Sequence, residues 1–192
     1  MAYAGRMATN DGWTAELVRA IPDDGKRYEL LDGELAVTPA PTLVHQRMIR
    51  LLVRLLEDFV EANGLGEVFA SPADIEFSPQ RLVQPDVLVI PLQGDGTRVS
   101  AWRDAQTLRL AVEVLSPATA RHDRLTKRRI YMEEGVPEYW IVDLEARCVE
   151  RWRHDDVRPV VIDDSLVWLP DGMGEALRLD LRALFARVVG EG

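Results

Sequence analysis

Cysteine is almost absent from this sequence, since Cys148 is the one residue of its kind among 192. A single chain can therefore form no disulfide framework, no cysteine-rich zinc site and no CxxC redox pair. Long apolar runs are also missing, because the longest span about five residues, well below the length of a membrane-spanning helix. Residues 1–10 lack the apolar segment of a secretory signal. These absences lead us to expect a cytoplasmic protein that does not associate with membranes.

Basic residues are too few to outweigh acidic ones, with 23 Lys and Arg against 32 Asp and Glu and a net charge of −9. Because backbone phosphates attract clustered Lys and Arg, this balance excludes a protein that coats nucleic acid by charge alone. Two local groups of basic residues remain, one within nine residues and one at helical spacing: Arg121, Arg124, Lys127, Arg128 and Arg129, and Arg47, Arg50 and Arg54. They are consistent either with solvated helix faces or with a phosphate-contacting surface.

What the sequence does contain is the pattern of one α/β (α+β) domain. We predict an N-terminal extension at residues 1–24, with a short helix at 14–20, and a single domain at residues 25–189. Asp32-Gly33 between two alternating runs predicts a β-hairpin over 28–37, because its turn needs positive φ. Apolar periodicity predicts helices at 42–62, 121–134 and 180–189, and strands at 67–70, 74–77, 87–90, 108–115, 138–143, 148–153 and 157–162. The expected fold is a central mixed β-sheet flanked by helices.

Three residues could carry chemistry together: Asp86 at the head of an apolar strand, Glu113 inside another, and Lys127 on the following helix. Carboxylates from different elements supply the oxygen ligands that Mg²⁺ prefers. Such a cation polarises phosphate and lowers the pKa of an attacking water, and a nearby lysine offsets developing charge. A carboxylate within a buried strand is costly unless it is paired or metal-bound. The pattern is therefore consistent with a site that cleaves phosphodiester bonds.

Each of these residues also has a structural interpretation that involves no catalysis. Asp86 follows a proline and could end a strand or a turn. Glu113 shares a strand face with Arg109 and could face solvent on an edge strand. Lys127 could form an i,i+4 ion pair with Asp123. Spacing alone leaves both interpretations open.

Several stretches, in order along residues 27–185, are similar to one family. They are Tyr-Glu-Leu-Leu-Asp-Gly-Glu (28–34), His45-Gln46, Gly-Glu-Val-Phe (66–69), Val-Gln-Pro-Asp-Val-Leu (83–88), Val-Glu-Val-Leu-Ser-Pro-Ala-Thr-Ala-Arg-His-Asp (112–123), Lys127 with Tyr131, and Gly-Val-Pro-Glu-Tyr-Trp-Ile-Val-Asp (135–143). On these stretches the sequence resembles the Uma-two family of restriction endonucleases, within the PD-(D/E)XK nuclease-like superfamily. The resemblance implies a restriction-endonuclease-like fold and a site that depends on Mg²⁺ or Mn²⁺.

The resemblance also assigns roles to residues. Asp86 matches the aspartate of the motif and Glu113 its glutamate, and both would be metal ligands. The lysine of the superfamily normally follows that glutamate by two residues, where this sequence has Leu115. Lys127 is the expected substitute, as in superfamily members whose lysine has migrated to the next helix.

Two further residues are second candidates for the catalytic site. Glu34 could add a carboxylate from the N-terminal hairpin, or it could be a solvated strand residue. His45, near the start of its helix, could approach the site or could merely cap that helix.

We therefore expect a metal-dependent endonuclease that acts on DNA, in which Asp86 and Glu113 hold the metal and Lys127 assists the attacking water. The alternative on the same fold is a catalytically inactive nucleic-acid-binding or regulatory module, which Leu115 and the acidic balance favour. A protein-interaction partner is a third reading, which fits the acidity and has no motif behind it. Cleavage of both strands of a duplex would favour a homodimer.

Overall fold

Four α-helices and twelve strands form along residues 12–190, the part of the chain that the computed structural model describes. The α-helices are α1 (Ala15–Arg19), α2 (Leu43–Ala62), α3 (Arg128–Glu133) and α4 (Leu181–Val189). The strands are β1 (Arg27–Leu31), β2 (Glu34–Thr38), β3 (Gly66–Ala70), β4 (Ile75–Ser78), β5 (Arg81–Val83), β6 (Val87–Pro91), β7 (Leu110–Val114), β8 (Glu138–Asp143), β9 (Cys148–Arg153), β10 (Val160–Ile162), β11 (Ser165–Trp168) and β12 (Leu177–Asp180). A 3₁₀ turn at Trp102–Asp104 and a π-helix at His122–Lys127 complete these elements.

The predicted hairpin forms around Asp32-Gly33, whose φ angles of 53° and 83° are both positive. A two-residue hairpin turn needs such angles, because they match the twist of the flanking strands. Strands β1 and β2 pair antiparallel and join β5 and β4 in a small sheet with the order β2-β1-β5-β4. Helix α1 packs on this sheet, because Ala15 and Val18 bury their side chains with Leu30 and Leu82.

The central sheet has the order β10-β9-β8-β7-β6-β3 within the described residues. Strands β7 and β8 run parallel, whereas the other neighbours in this sheet are antiparallel. The sheet is therefore mixed, as the sequence predicts. A parallel pair needs a crossover, and the π-helix with α3 supplies it between β7 and β8. Every residue of β7 is buried, so Glu113 does not lie on the solvent face of an edge strand.

Helices cover both faces of the central sheet. On one face α2 and α4 bury Leu52, Leu56 and Leu184 against strand residues that include Val112 and Trp140. On the other face α3 buries Ile130 and Tyr131 among a second group of strand residues that includes Ala111, Tyr139 and Ile141. This arrangement confirms the expected α+β fold with a helix-flanked mixed sheet.

Several local predictions differ from the structure. The helix predicted at 121–134 is divided into the π-helix and α3. Strand β10 begins at Val160 rather than at residue 157, because Pro159 has no N–H to extend the ladder. Strands β5, β11 and β12 were not predicted from the sequence, since segments of three or four residues carry too little alternation to be recognised. Residues 1–11 of the predicted N-terminal extension lie outside the described residues, and the division at residue 24 stays a prediction. None of the helices between residues 12 and 190 is long and apolar enough to span a membrane.

Candidate active site

A pocket of about 460 Å³ lies where the open end of the hairpin meets the ends of the central strands. Four of the five residues predicted for the site line it: Asp86, Glu113, Lys127 and His45. The remaining wall comes from the segment between β2 and α2, from the segment after β7 and from the turn after β8. The fold therefore brings together residues that lie far apart in the sequence.

Asp86 and Glu113 face each other across neighbouring strands. Val87 of β6 pairs with Val112 of β7 in an antiparallel ladder, so the next step of the register sets Asp86 opposite Glu113. Directly opposed residues in such a ladder project from the same face of the sheet. The Val114 N–H donates to Asp86 Oδ2 at 2.8 Å, which fixes the aspartate at the start of its strand.

The start of α2 brings His45 to Asp86. Thr42 caps the helix, because its Oγ1 accepts from the His45 backbone N–H at 3.2 Å. The side chain of His45 is therefore not the cap, and its Nε2 lies 3.2 Å from Asp86 Oδ2. Arg27 Nη1 approaches Asp86 Oδ1 at 3.8 Å. The aspartate is thus held by one backbone amide and two side chains.

Lys127 reaches Glu113 from the helix that follows β7. Its Nζ donates to Glu113 Oε1 at 3.0 Å and lies 3.4 Å from Asp123 Oδ1. Lys127 therefore forms both the ion pair with Asp123 that a purely structural interpretation predicts and the contact with Glu113. Leu115 occupies the position where the superfamily normally has its lysine, and it lines the pocket.

The π-helix determines where Lys127 projects. The backbone N–H of Arg128 donates to Asp123 O, five residues earlier, and Tyr139 Oη donates to the same carbonyl at 3.1 Å. A π turn is wider than an α turn and is frequent at functional sites. Both Asp123 and Lys127 point inward from this turn and are buried.

Glu29 belongs to the same group of charges, although the sequence analysis did not single it out. Its Oε1 lies 2.9 Å from Lys127 Nζ and accepts from the Gln84 backbone N–H at 2.7 Å. Its Oε2 accepts from Thr38 Oγ1 at 3.2 Å. A signal was available in the alternation of β1, because Glu29 shares a strand face with Leu31, which the structure buries.

The structure does not bring Glu34 to the pocket. It is exposed at the turn end of β2, opposite Leu31. The pocket begins at Thr38, at the other end of the strand, and four residues of extended chain span about 13 Å. The hairpin does supply a carboxylate to the pocket, but that carboxylate is Glu29 and not the predicted Glu34.

Burial and nearby negative charges raise the pKa of two carboxylates in this group, Glu113 and Asp123. Burial raises the pKa of Glu113 well above its ordinary value, and Asp123, Asp86 and Glu29 add to the rise although Lys127 opposes it. Burial alone would lower the pKa of Lys127, but Glu113, Glu29 and Asp123 raise it well above 10.5. Lys127 is therefore an ammonium ion at physiological pH.

Two tyrosines lie beside these charges. Tyr131 Oη donates to Glu113 Oε1 at 3.0 Å. Burial, followed by the negative charge of Glu113, raises the pKa of Tyr131 well above 10, so its hydroxyl stays a donor. Tyr139 and Trp140 are fully buried, so this pair belongs to the core.

The donor set of the pocket fits a hard divalent cation. Its lining carries five carboxylates, from Glu29, Asp86, Glu113, Asp143 and Glu145, against three cations, from Arg27, Arg124 and Lys127. No group of three His, Cys, Asp or Glu side chains between residues 12 and 190 forms a ready metal cage. Mg²⁺ does not need one, because it keeps several waters and binds one or two carboxylates together with substrate phosphates. Asp86 and Glu113 satisfy that requirement.

Comparisons with known proteins agree with this fold. The sequence model of the Uma2 family, described as "Putative restriction endonuclease", matches residues 15–182. Among solved structures, "a putative nuclease belonging to DUF820 from Anabaena variabilis ATCC 29413" is 20% identical with a TM-score of 0.74, and the match covers 91% of this chain and 98% of that chain. At this identity the likeness shows the fold. No curated protein matches the chain.

Proposed function

The chain belongs to the Uma2 family, a family of nuclease-like proteins, and we propose that it is a metal-dependent endonuclease that hydrolyses phosphodiester bonds of DNA. The observation that carries the proposal is the convergence of Asp86, Glu113 and Lys127 in one pocket, with Lys127 Nζ 3.0 Å from Glu113 Oε1. Two carboxylates can hold the cation and a lysine can offset the charge that develops in this reaction.

In the proposed reaction Asp86 and Glu113 would hold Mg²⁺ or Mn²⁺. When bound, such a cation would polarise the scissile phosphate and lower the pKa of the attacking water. Lys127, fixed as an ammonium by its carboxylate partners, offsets the negative charge that develops on the phosphate. His45, beside Asp86 Oδ2, and Arg27, beside Asp86 Oδ1, help to keep this carboxylate in place.

The second candidate is a catalytically inactive nucleic-acid-binding or regulatory module. Leu115 at the usual lysine position favours it, and so does the engagement of Lys127 by three carboxylates. A cytoplasmic location is part of either proposal. A homodimer would follow if both strands of a duplex are cut.

The decisive experiment incubates the purified protein with supercoiled plasmid and with single-stranded circular DNA, each with Mg²⁺ or Mn²⁺ and with an EDTA control. Glu113→Gln and Lys127→Ala test the site, and Glu133→Gln, an exposed glutamate on α3, is the matched control. Cleavage that disappears in EDTA and in both site variants, but not in the control, supports the proposal. If the wild type cuts neither DNA with either metal, the inactive module becomes the better description.

A further inference from the structure

The reacting groups of the pocket are almost entirely enclosed. Asp86, Glu113 and Lys127 each expose only 3–4% of their surface. Phosphates of an intact duplex lie on the outside of a cylinder that stays stiff over about 150 base pairs. They can reach groups on an open surface or in a broad cleft, but not side chains buried as deeply as these. Enzymes that act on buried parts of a duplex first take the nucleotide out of it.

The size and lining of the pocket also disfavour entry of an intact duplex. Its volume of about 460 Å³ falls in the range of small-ligand pockets, roughly 300–1,000 Å³. Its lining includes the segment from Pro39 to Pro41 and also Pro117. Proline fixes the backbone φ angle, so these parts of the lining have little freedom to move away. The pocket has room for a nucleotide unit of a flexible strand.

The pocket offers few unpaired cations that could contact the phosphates of a duplex. All three cations of the lining are already paired with carboxylates: Lys127 with Glu29, Glu113 and Asp123, Arg124 with Asp143 and Glu150, and Arg27 with Asp86. Binding along a duplex depends on many Lys and Arg contacts to phosphates. A single phosphate, delivered together with a divalent cation, requires far fewer.

We propose that this pocket admits one unpaired strand of DNA, and that the protein cuts single-stranded segments or ends in preference to intact duplex. This inference rests on the proposed nuclease function and narrows its substrate class. Among the described residues that line the pocket none is Phe, Tyr or Trp. The aromatic platforms on which many single-strand binders stack their bases are therefore missing from this lining, and binding should rest on the phosphate and the divalent cation rather than on the bases.

The test uses one end-labelled duplex with a single-stranded overhang, together with the same strand alone and a blunt duplex of the same sequence. The expected result is cleavage within the overhang and throughout the free strand. Both should be cut about 100-fold faster than the blunt duplex, because base pairs must open before a duplex strand can enter. Glu113→Gln, checked for folding by circular dichroism, should abolish every product and so assign them to this pocket.

The outcomes separate the two proposals. Equal rates on the overhang and on the paired region would overturn the single-strand inference and leave the nuclease function intact. Products that persist in a folded Glu113→Gln protein would show that the pocket is not their source and would overturn the inference as well. If none of the three substrates is cut with Mg²⁺ or Mn²⁺, both the inference and the nuclease function fail.

Discussion

Two clusters in this molecule each place one cation among three carboxylates. The Lys127 cluster joins Lys127 to Glu29, Glu113 and Asp123. The Arg81 cluster joins Arg81 to Asp32, Glu133 and Glu134. Both connect the hairpin with the helical segment after β7, but they differ in exposure. The side chains of the first cluster are 1–4% exposed, whereas Arg81 is 18% exposed and its partners 24–45%.

This difference separates a structural contact from a candidate site. Exposed ion pairs are individually weak and can be lost with little effect. Buried charges cost free energy to desolvate, and hydrophobic residues of similar volume are often equally stable in their place. A buried group of three carboxylates around one lysine is therefore better explained by chemistry at the adjoining pocket than by stability. The Arg81 cluster, which is partly exposed, needs no such explanation.

Removal of the central cation should separate the two clusters most strongly. Lys127→Met is expected to lower the free energy of unfolding by about 3–5 kcal/mol, because it leaves buried carboxylates without their cation. Arg81→Met should lower it by about 1 kcal/mol or less. Urea denaturation measures both values. Equal losses would contradict the distinction, and partial recovery in the double variant Lys127→Met/Glu113→Gln would support it.

The hairpin carboxylates allow the same comparison for activity. Glu29→Gln keeps an acceptor for the Gln84 N–H but loses the charge that holds Lys127, so DNA cleavage should fall about 10–100-fold. Asp32→Asn, three residues further along the chain and paired with Arg81, should leave the cleavage rate unchanged. Initial rates under one metal concentration provide the measurement. A Glu29→Gln protein with wild-type rates would exclude Glu29 from the site.

The hydrogen bond from Tyr131 to Glu113 should contribute less. Tyr131→Phe removes a buried donor to a carboxylate and is expected to lower the free energy of unfolding by about 2 kcal/mol. Tyr28 donates to Asp24 at an exposed position, and Tyr28→Phe should have an effect below about 0.5 kcal/mol. Thermal and urea unfolding of the two variants would measure this difference. Equal losses in the free energy of unfolding for Tyr131→Phe and Tyr28→Phe would contradict it.

The smallest expected effect is on pH dependence. Burial opposes ionisation of Asp32, but hydrogen bonds from Arg81 and Arg129 outweigh it and lower its pKa below 3.8. Its stabilisation is thus present above pH 3.8 and lost as the pH falls through the lowered pKa. Burial raises the pKa of Asp123 above 3.8. Asp123 is therefore protonated at a higher pH than Asp32, and its protonation removes the cost of a buried negative charge.

The stability deficit of Lys127→Met should therefore begin to shrink at a higher pH than the deficit of Arg81→Met. Urea unfolding of both variants and the wild type, measured stepwise from pH 7 downwards, gives the two deficits. Deficits that change together would show that the two clusters titrate alike.

Much of the fold could be predicted from local patterns. The hairpin turn, α2 and strands β6 to β9 were recognised because each carries its own periodicity or turn residues. The short strands β5, β11 and β12 could not be recognised, since pairing with distant partners stabilises them. The π turn was also out of reach, because nothing in the sequence from His122 to Lys127 distinguishes it from an α turn.

The sequence by itself determined which residues carry charge in otherwise apolar strands, and it thereby pointed to Asp86 and Glu113. Only the tertiary structure decided which hairpin carboxylate approaches Lys127, since Glu29 and Glu34 share one face of the hairpin, but Glu29 lies in the middle of β1, opposite Ala36, and Glu34 lies beside the turn. It also decided that β7 is a central strand and that Lys127 Nζ reaches Glu113. The physical reason is that sheet order and helix winding set distances between residues far apart in the chain, whereas local propensity acts only on neighbours.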